Sequence, residues 1–201
     1  MEGTTVLHCA DLHFDDEANR LKNTIECCDR IIGTARAEMP DLIAIAGDVF
    51  ERGLILGSPG TLAAIDFVYR CGDVAPVVIV SGTPTHDITN STEVFSKLKT
   101  RYPVYATGLP RQVCLAGKEP RRFIEFDGRT DMLDDTSLLI YCLPSVTKAS
   151  LMAAGTRSMG TAGVEYAELL RDLFQTWGVA NESGVDDAAL RRIAYEKGPL
   201  A

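Results

Sequence analysis

The sequence lacks the features that mark membrane, secreted and zinc-ribbon proteins. No apolar run reaches the roughly 18 residues that a membrane-spanning helix needs. Residues 1–5 show no charged segment followed by an apolar one, as a secretory signal would. The six cysteines form no Cys-x-x-Cys pair, so buried, reduced thiols are expected instead of disulfides or a zinc site. These absences predict a cytoplasmic protein with no membrane partner.

Histidine is scarce as well, with three residues in a chain of 201. His8 lies inside the first predicted strand and is expected to be structural, which leaves His13 and His86 as candidates for chemistry. Hydrophobic residues make up 46% of the chain and recur at regular spacing, which excludes disorder over most of it and predicts one sizeable core.

Basic residues are outnumbered by acidic ones, 20 against 28, and the net charge of −8 argues against a protein that holds nucleic acid by bulk electrostatics. One segment differs, because residues 97–122 carry seven basic residues and a single acidic one. A solvated surface is the ordinary interpretation of such a segment, and contact with a phosphate backbone is the alternative. Under the second interpretation, Lys97, Lys99 and Arg101 are candidate substrate-binding residues.

Apolar periodicity predicts an α/β fold. The first half of the chain alternates short apolar runs with longer amphipathic ones, which is typical of βαβ units and a mainly parallel sheet. Its predicted strands are residues 5–9, 42–46 and 76–80, and its predicted helices are 19–39, 58–70 and a short one from Ser91. Beyond residue 102, a second, more antiparallel sheet is predicted from residues 104–105, 113–115, 122–126 and 138–142. A loop at 147–162 and helices at 164–177 and 186–195 are expected to follow.

Polar residues follow each of the three predicted parallel strands: Asp11 and His13, then Asp48, then His86 and Asp87. Because the carboxyl ends of parallel strands meet at one edge of a sheet, these side chains are expected to converge. Asp48 follows Asp11 by 37 residues and His86 follows Asp48 by 38, each about the length of one βαβ unit. Carboxylate and imidazole ligands without thiolates suit Mn²⁺, Mg²⁺, Fe or Zn²⁺. Two such ions about 4 Å apart would clamp a phosphoryl group and activate a water molecule.

Each of these motifs also has a purely structural interpretation. Asp-x-His occurs by chance, Gly-Asp after a strand is often a turn, and a histidine at a strand end is often held by hydrogen bonds. The three in order, each after a buried strand at nearly equal intervals, favour a metal site over three unrelated structural roles.

The same three motifs resemble the first blocks of the calcineurin-like metallophosphoesterases. Residues 47–51 read Gly-Asp-Val-Phe-Glu, which is similar to the second block of the SbcD-type DNA repair exonucleases, and Leu143-Pro144 after a late strand also fits. The resemblance covers about residues 4–145. It implies a four-layer αββα sandwich with a dinuclear site, usually of Mn²⁺. Residues 1–201 would then form one metallophosphoesterase domain without its C-terminal strands.

Matched position by position, the resemblance implies a role for each motif residue. Asp11 and His13 would bind the first metal, and Asp48 would bridge both metals. His86 would stand beside the scissile phosphate as a catalytic residue that protonates the leaving group or stabilises charge, and Asp87 would orient it.

The sequence departs from the family pattern at the second metal. The third block of the family reads Gly-Asn-His, whereas here two extra residues lie between Gly82 and His86, and Thr85 stands in the place of the metal-binding Asn. A threonine hydroxyl is a poorer ligand than an amide oxygen, so Thr85 is a weak candidate. The family's later lone His and its Gly-His-x-His block are absent, since His8, His13 and His86 are the only histidines. One metal is therefore expected to bind more readily than two.

The expected function is that of a metal-dependent phosphodiesterase of the DNA exonuclease type, with Mn²⁺ as cofactor and DNA as substrate. The resemblance also implies homodimers and an SMC-like ATPase partner, recruited through regions that this sequence does not contain. Two alternatives stay open: a phosphatase or small-molecule phosphodiesterase on the same scaffold, and a non-catalytic binding module that cannot hold two metals.

Overall fold

The computed structural model describes residues 3–145, except Leu54, Thr89 and Gly128, together with Arg171. The chain divides into two compact units, one of residues 1–126 and 135–147 and the other of residues 127–134 and 148–201. In the second unit, the described residues include a short 3₁₀ helix, Thr130–Leu133. The loop predicted at 147–162 and the helices predicted at 164–177 and 186–195 lie outside the described residues, apart from Arg171.

The first unit contains a four-stranded parallel sheet in the order β1-β2-β3-β4. Its strands are β1 (Val6–Cys9), β2 (Leu42–Ala46), β3 (Val77–Val80) and β4 (Val104–Thr107). Apolar residues run without interruption through β2 and β3 because both faces of these central strands are covered. The predictions for β1, β2 and β3 are confirmed to within one residue at each end.

Two helices cover one face of this sheet. The first, α1 (Ala18–Glu38), begins at Glu17, whose carboxylate accepts hydrogen bonds from backbone N–H groups of the first turn. The second, α2 (Pro59–Gly72), begins at Ser58, whose side chain accepts from the backbone N–H of Thr61, with proline at the first position where no N–H is needed. Both helices confirm the predicted ranges, 19–39 and 58–70, to within two residues at each end.

The second sheet is antiparallel and has the order β6-β5-β7. It consists of β5 (Arg111–Ala116), β6 (Arg122–Glu125) and β7 (Thr136–Cys142). The predicted antiparallel sheet is confirmed for these strands and wrong for residues 104–105, which belong to β4 and pair with β3 in parallel. The short helix predicted from Ser91 is a 3₁₀ helix (Thr92–Lys97), which returns the chain so that β4 starts at the same edge of the sheet as β3.

Two apolar cores lie on the two faces of the parallel sheet. On one face, Ile43 belongs to a core that includes Ile32 of α1 and Phe67 of α2. On the other face, Val78 belongs to a core that includes Leu115 of the antiparallel sheet. The described residues therefore form three layers, of helices, parallel sheet and antiparallel sheet, and no fourth layer occurs among them. The α/β prediction is confirmed.

The described cysteines are free thiols, as expected, and four of them are buried. Burial raises the pKa of Cys28 and of Cys142 to about 12. These two thiols stay protonated near neutral pH, and their role is packing rather than nucleophilic or metal-binding chemistry.

Candidate metal centre

The loops after β1 and β2 run side by side and bring Asp11, His13 and Asp48 together. Backbone hydrogen bonds continue the pairing of the two strands, from the N–H groups of Asp11 and His13 to carbonyl groups of the other loop at 3.1 and 3.0 Å. The pairing ends in an isolated bridge between Phe14 and Phe50. The backbone itself thus sets the distance between the three polar side chains.

These three residues share an unusual backbone conformation. The φ angles are 55° at Asp11, 49° at His13 and 48° at Asp48, in the left-handed region that residues with a Cβ rarely adopt. Each such residue costs on the order of 1–2 kcal/mol, and strain of this kind concentrates at functional sites, where it gives side chains the positions they need. Met39 and Asn90 share this conformation, but the three motif residues have it together on two adjacent loops.

Asp48 is held by the loop after β3. Its Oδ1 accepts hydrogen bonds from the backbone N–H of Thr83 at 2.6 Å and from the Thr83 hydroxyl at 3.0 Å. These bonds occupy Oδ1 and leave Oδ2 as the oxygen available to a cation. The sequence pattern offers no signal for Thr83. It favours Thr85 instead, which is exposed and whose hydroxyl lies 3.2 Å from that of Thr83; a metal contact by Thr85 stays a prediction.

His86 is oriented by Glu51, which lies on the loop after β2. Nδ1 of His86 lies 2.7 Å from the carbonyl oxygen of Glu51. A carbonyl only accepts, so Nδ1 carries a proton and Nε2 is left for other partners. The family resemblance implies this orienting role for Asp87, whereas the direct contact of Nδ1 is with Glu51.

The carboxylate of Asp87 serves the backbone instead. It is buried and accepts hydrogen bonds at 2.8–3.2 Å from three backbone N–H groups, those of Val49, Phe50 and Gly82. Asp87 therefore fixes the loops after β2 and β3 to each other, and its influence on His86 passes through those loops.

Glu51 also contacts the other site histidine. Its Oε2 lies 2.9 Å from Nδ1 of His13, and the rings of His13 and His86 lie 4.8 Å apart at nearly right angles. The approach of the carboxylate is bent, so that the buried Nδ1 has no well-directed hydrogen-bond partner among the described residues. The contact between the carboxylate oxygen and this ring nitrogen is therefore electrostatic and is not a hydrogen bond of good geometry.

Two overlapping groups of donors have the spacing of a metal site. Asp11, His13 and Asp48 each offer a ligand atom within 4.8 Å of the others, and so do His13, Glu51 and His86. Two carboxylates and an imidazole suit Mn²⁺, Mg²⁺, Fe or Zn²⁺. The residues thus fit one divalent cation, and within the part of the chain that the structure describes both groups depend on His13.

Two arginines without a sequence prediction lie beside this cluster. Nη1 of Arg20 is 3.5 Å from Oε1 of Glu51 and 3.4 Å from Oδ2 of Asp15. Arg52 lines a cleft of about 150 Å³ between the loops after β1 and β2. Burial alone would raise the pKa of Asp15, but backbone hydrogen bonds and the charges of Arg52 and Arg20 lower it overall. Arg52 directly follows the Gly-Asp-Val-Phe-Glu motif, which is the one signal in the sequence that could have found it.

Lys99 and Arg101 lie away from the metal cluster. The neighbouring Tyr102 donates its N–H to the carbonyl of Gly72 at the end of α2, so these cations lie where β4 begins. Asp48 follows the end of a parallel strand instead. A strand advances about 3.3 Å per residue, which puts the two edges of the sheet on the order of 10 Å apart.

Other basic residues of the 97–122 segment are paired within the chain. Arg111, Arg121 and Arg122 form ion pairs with Glu125, Asp41 and Asp135 respectively. Lys97 and Lys99 are exposed, and the guanidinium of Arg101 lies over the ring of Tyr102. The role of Lys97, Lys99 and Arg101 in substrate binding stays a prediction.

A cluster of carboxylates and imidazoles at the carboxyl edge of a parallel sheet, with an antiparallel sheet packed behind it, is typical of metal-dependent phosphoester hydrolases. The family model of the calcineurin-like phosphoesterases matches residues 4–132, and the chain belongs to this family. The family hydrolyses phosphoesters with divalent metals. A comparison with curated proteins gives no match. Among the described helices, none is both long and apolar enough to cross a bilayer.

Proposed function

We propose that the chain is a metal-dependent phosphodiesterase of the SbcD type, which hydrolyses phosphodiester bonds of DNA and prefers Mn²⁺. The observation that carries the hydrolytic part is the cation-binding group of Asp11, His13 and Asp48 beside His86, whose ring centre is 4.8 Å from that of His13. The reading Gly-Asp-Val-Phe-Glu at residues 47–51 supports the SbcD subtype.

Different residues of the chain bind the cation and transfer the proton. Asp11, His13 and Oδ2 of Asp48 hold the cation, which when bound polarises a phosphoryl oxygen and activates water. His86 donates Nδ1–H to the carbonyl of Glu51; when the ring also carries a proton on Nε2, that proton can pass to the leaving oxygen and is regained from solvent. General acid catalysis of this kind contributes about 10²–10⁴-fold.

One cation is favoured over two in this chain. Oδ1 of Asp48 already accepts two hydrogen bonds from Thr83, so a bridging role for both oxygens would have to displace them. Thr85, the candidate ligand of a second cation, is exposed. Hydrolysis is therefore expected to be slow, because a single cation offsets less of the charge on the phosphodiester.

A DNA substrate needs cationic partners for its phosphates. Arg20 and Arg52 beside the cluster are suited to phosphates next to the scissile bond, and Lys97, Lys99 and Arg101 would meet DNA only farther along the surface. The homodimer and the SMC-like ATPase partner that the SbcD resemblance implies belong to the same proposal.

A phosphatase or small-molecule phosphodiesterase is the second candidate, and one observation favours it. Lys99 and Arg101 lie at the opposite edge of the parallel sheet from Asp48. A short substrate bound at Asp48 would not need contacts with these two cations, so their distance would not weaken its binding. A non-catalytic binding module is the third candidate, favoured by the shortage of ligands for a second cation.

Incubation of the full chain with linear DNA and Mn²⁺ tests the proposal. We expect slow release of nucleotides from DNA ends that EDTA stops, and slower hydrolysis of bis(p-nitrophenyl) phosphate and p-nitrophenyl phosphate. His86→Ala should reduce the rate on DNA about 10²–10⁴-fold and leave Mn²⁺ affinity, measured by calorimetry, unchanged. Hydrolysis of the small esters without DNA cleavage would replace the first candidate by the second, and Mn²⁺ binding without any hydrolysis would favour the third.

Charge reversal in the basic segment tests whether bound DNA reaches Lys97, Lys99 and Arg101. Replacing Lys97, Lys99 and Arg101 together by Glu should weaken DNA binding and lower its salt slope by about one unit per lost phosphate contact. The matched control reverses three exposed cations of α1, Lys22, Arg30 and Arg36. If the two triple variants weaken DNA binding equally, the basic segment contributes only non-specific electrostatic attraction.

A further inference from the structure

We propose that Glu51 is a positioning residue that orients both site histidines, His13 through its carboxylate and His86 through its backbone carbonyl. The inference rests on the proposed function, because the orientation of the two rings matters only if they bind a cation and move a proton. Glu51 would then determine which ring nitrogen of each histidine is free to bind a cation or to transfer a proton.

The carboxylate contact selects the tautomer of His13. Oε2 of Glu51 lies 2.9 Å from Nδ1 of His13, and an ionised carboxylate accepts hydrogen bonds but donates none. The approach is too bent for a well-directed hydrogen bond, but a carboxylate oxygen this close repels a lone pair and attracts an N–H. It therefore favours the tautomer with the proton on Nδ1 and the lone pair on Nε2. Metal-binding histidines are usually held in this way, by a carboxylate or carbonyl on the other ring nitrogen.

His86 is held by the backbone of the same residue. The carbonyl oxygen of Glu51 lies 2.7 Å from Nδ1 of His86, which again leaves Nε2 available. Because this bond uses the backbone, a substitution at position 51 leaves it in place, whereas the contact with His13 depends on the side chain. Variants at position 51 therefore act on His13, and His86 serves as the internal reference.

Glu51 is itself fixed on two sides. Its N–H donates to the carbonyl of Phe14 at 3.0 Å, which ties it to the loop that carries His13. Its Oε1 lies 3.5 Å from Nη1 of Arg20, so the carboxylate lies between a guanidinium and an imidazole. The positive charge of a guanidinium at this distance weakens the binding of a metal ion to the same carboxylate. A positioning role for Glu51 is therefore favoured over that of a metal ligand.

Imidazole tautomers in the metal-free protein give the first test. Glu51→Ala and Glu51→Gln are made in the full chain, with Glu26→Ala on α1 as the control that changes the net charge equally. Two-bond ¹H–¹⁵N correlations report which nitrogen of each ring is protonated. We expect Glu51→Ala to turn His13 from the Nδ1–H form to a mixture of tautomers and to leave His86 unchanged. Glu51→Gln keeps an accepting oxygen and should preserve the His13 pattern; it also serves if the alanine variant fails to fold.

Mn²⁺ affinity gives the second readout. Loss of a residue that holds a metal-binding histidine weakens the metal about 10–100-fold, so we expect that loss in Glu51→Ala, a smaller one in Glu51→Gln and none in Glu26→Ala. Unchanged His13 tautomers and Mn²⁺ affinity in Glu51→Ala would overturn the proposal, and so would equal changes at His13 and His86. A wild-type protein that binds no Mn²⁺ would refute the proposed function, whereas the tautomers would still decide the role of Glu51.

Discussion

Asp48→Asn is expected to abolish Mn²⁺ binding and hydrolysis while the metal-free fold stays intact. Removing residues that only support a ligand already costs about 10–100-fold in metal affinity, so loss of the ligand's charge should cost more than about 100-fold. Asparagine has the same shape as aspartate and tolerates the φ of 48° at this position. Its side-chain oxygen can still accept the bonds from Thr83. The variant therefore tests the effect of the carboxylate charge on Mn²⁺ binding while the shape of the side chain stays the same.

The metal-free variant should be at least as stable as the wild type. The ligand atoms of Asp11 and Asp48 lie within 4.8 Å of each other, and like charges at that distance repel. Neutralising one carboxylate removes this repulsion together with the attraction for a cation. In the wild type, a cation at 100 times its dissociation constant stabilises the fold by about 2.7 kcal/mol, and Asp48→Asn should lose that gain.

Calorimetric titration and thermal unfolding, each with and without Mn²⁺, measure both effects. The wild type is expected to take up one ion. Asp66→Asn, which changes an exposed carboxylate of α2, is the matched control and should bind Mn²⁺ as the wild type does. Two fully occupied ions in the wild type would show that Thr83 does not restrict Asp48 as argued. Unchanged Mn²⁺ affinity in Asp48→Asn would refute the assignment of the cluster.

The scaffold could be predicted because most of its elements are marked locally. β2 and β3 are continuous apolar runs, and Ser58 followed by Pro59 marks the start of α2. The pairing of β4 could not be predicted in the same way. A short apolar run has no signal for the direction of its partner, which here depends on where the 3₁₀ helix Thr92–Lys97 returns the chain.

The candidate site could be predicted to the level of residues but not of atoms. Convergence of Asp11, His13 and Asp48, the three candidate ligands, follows from strand ends that meet at one edge of a sheet. Asp87 is adjacent to His86 in the sequence, yet its carboxylate turns to backbone N–H groups while the ring of His86 meets Glu51 from another loop. The backbone dihedral angles of the loops determine such contacts. Loops have no periodic sequence pattern from which these angles could be predicted. For the same reason Thr83 could not be distinguished from Thr85.

Gly82→Ala is expected to destabilise the protein by on the order of 3 kcal/mol. A Cβ at this position would overlap the backbone nitrogen of Asp48 and its Oδ1. A backbone nitrogen cannot rotate away from such an overlap as the end of a side chain can. Either the loop after β2 or the loop after β3 must move.

Such a movement would break hydrogen bonds that hold the residues of the candidate metal centre in place. Gly82 donates its N–H to Asp87 at 2.8 Å, and the next residue, Thr83, holds Oδ1 of Asp48. Mn²⁺ affinity should therefore fall together with stability, although Gly82 has no side chain to offer a metal.

Gly33→Ala is the matched control, since it adds the same methyl group at a site that can accept it. Gly33 lies inside α1 with nothing within 4 Å of its Cβ position, and alanine is favoured over glycine in a helix by about 0.5–1 kcal/mol. In a chain of this size 1 kcal/mol shifts Tm by about 2–4 °C, so Gly82→Ala should lower Tm by roughly 6–12 °C and Gly33→Ala should raise it slightly. A Gly82→Ala protein that unfolds at the wild-type temperature and binds Mn²⁺ normally would show that the two loops do not approach each other this closely.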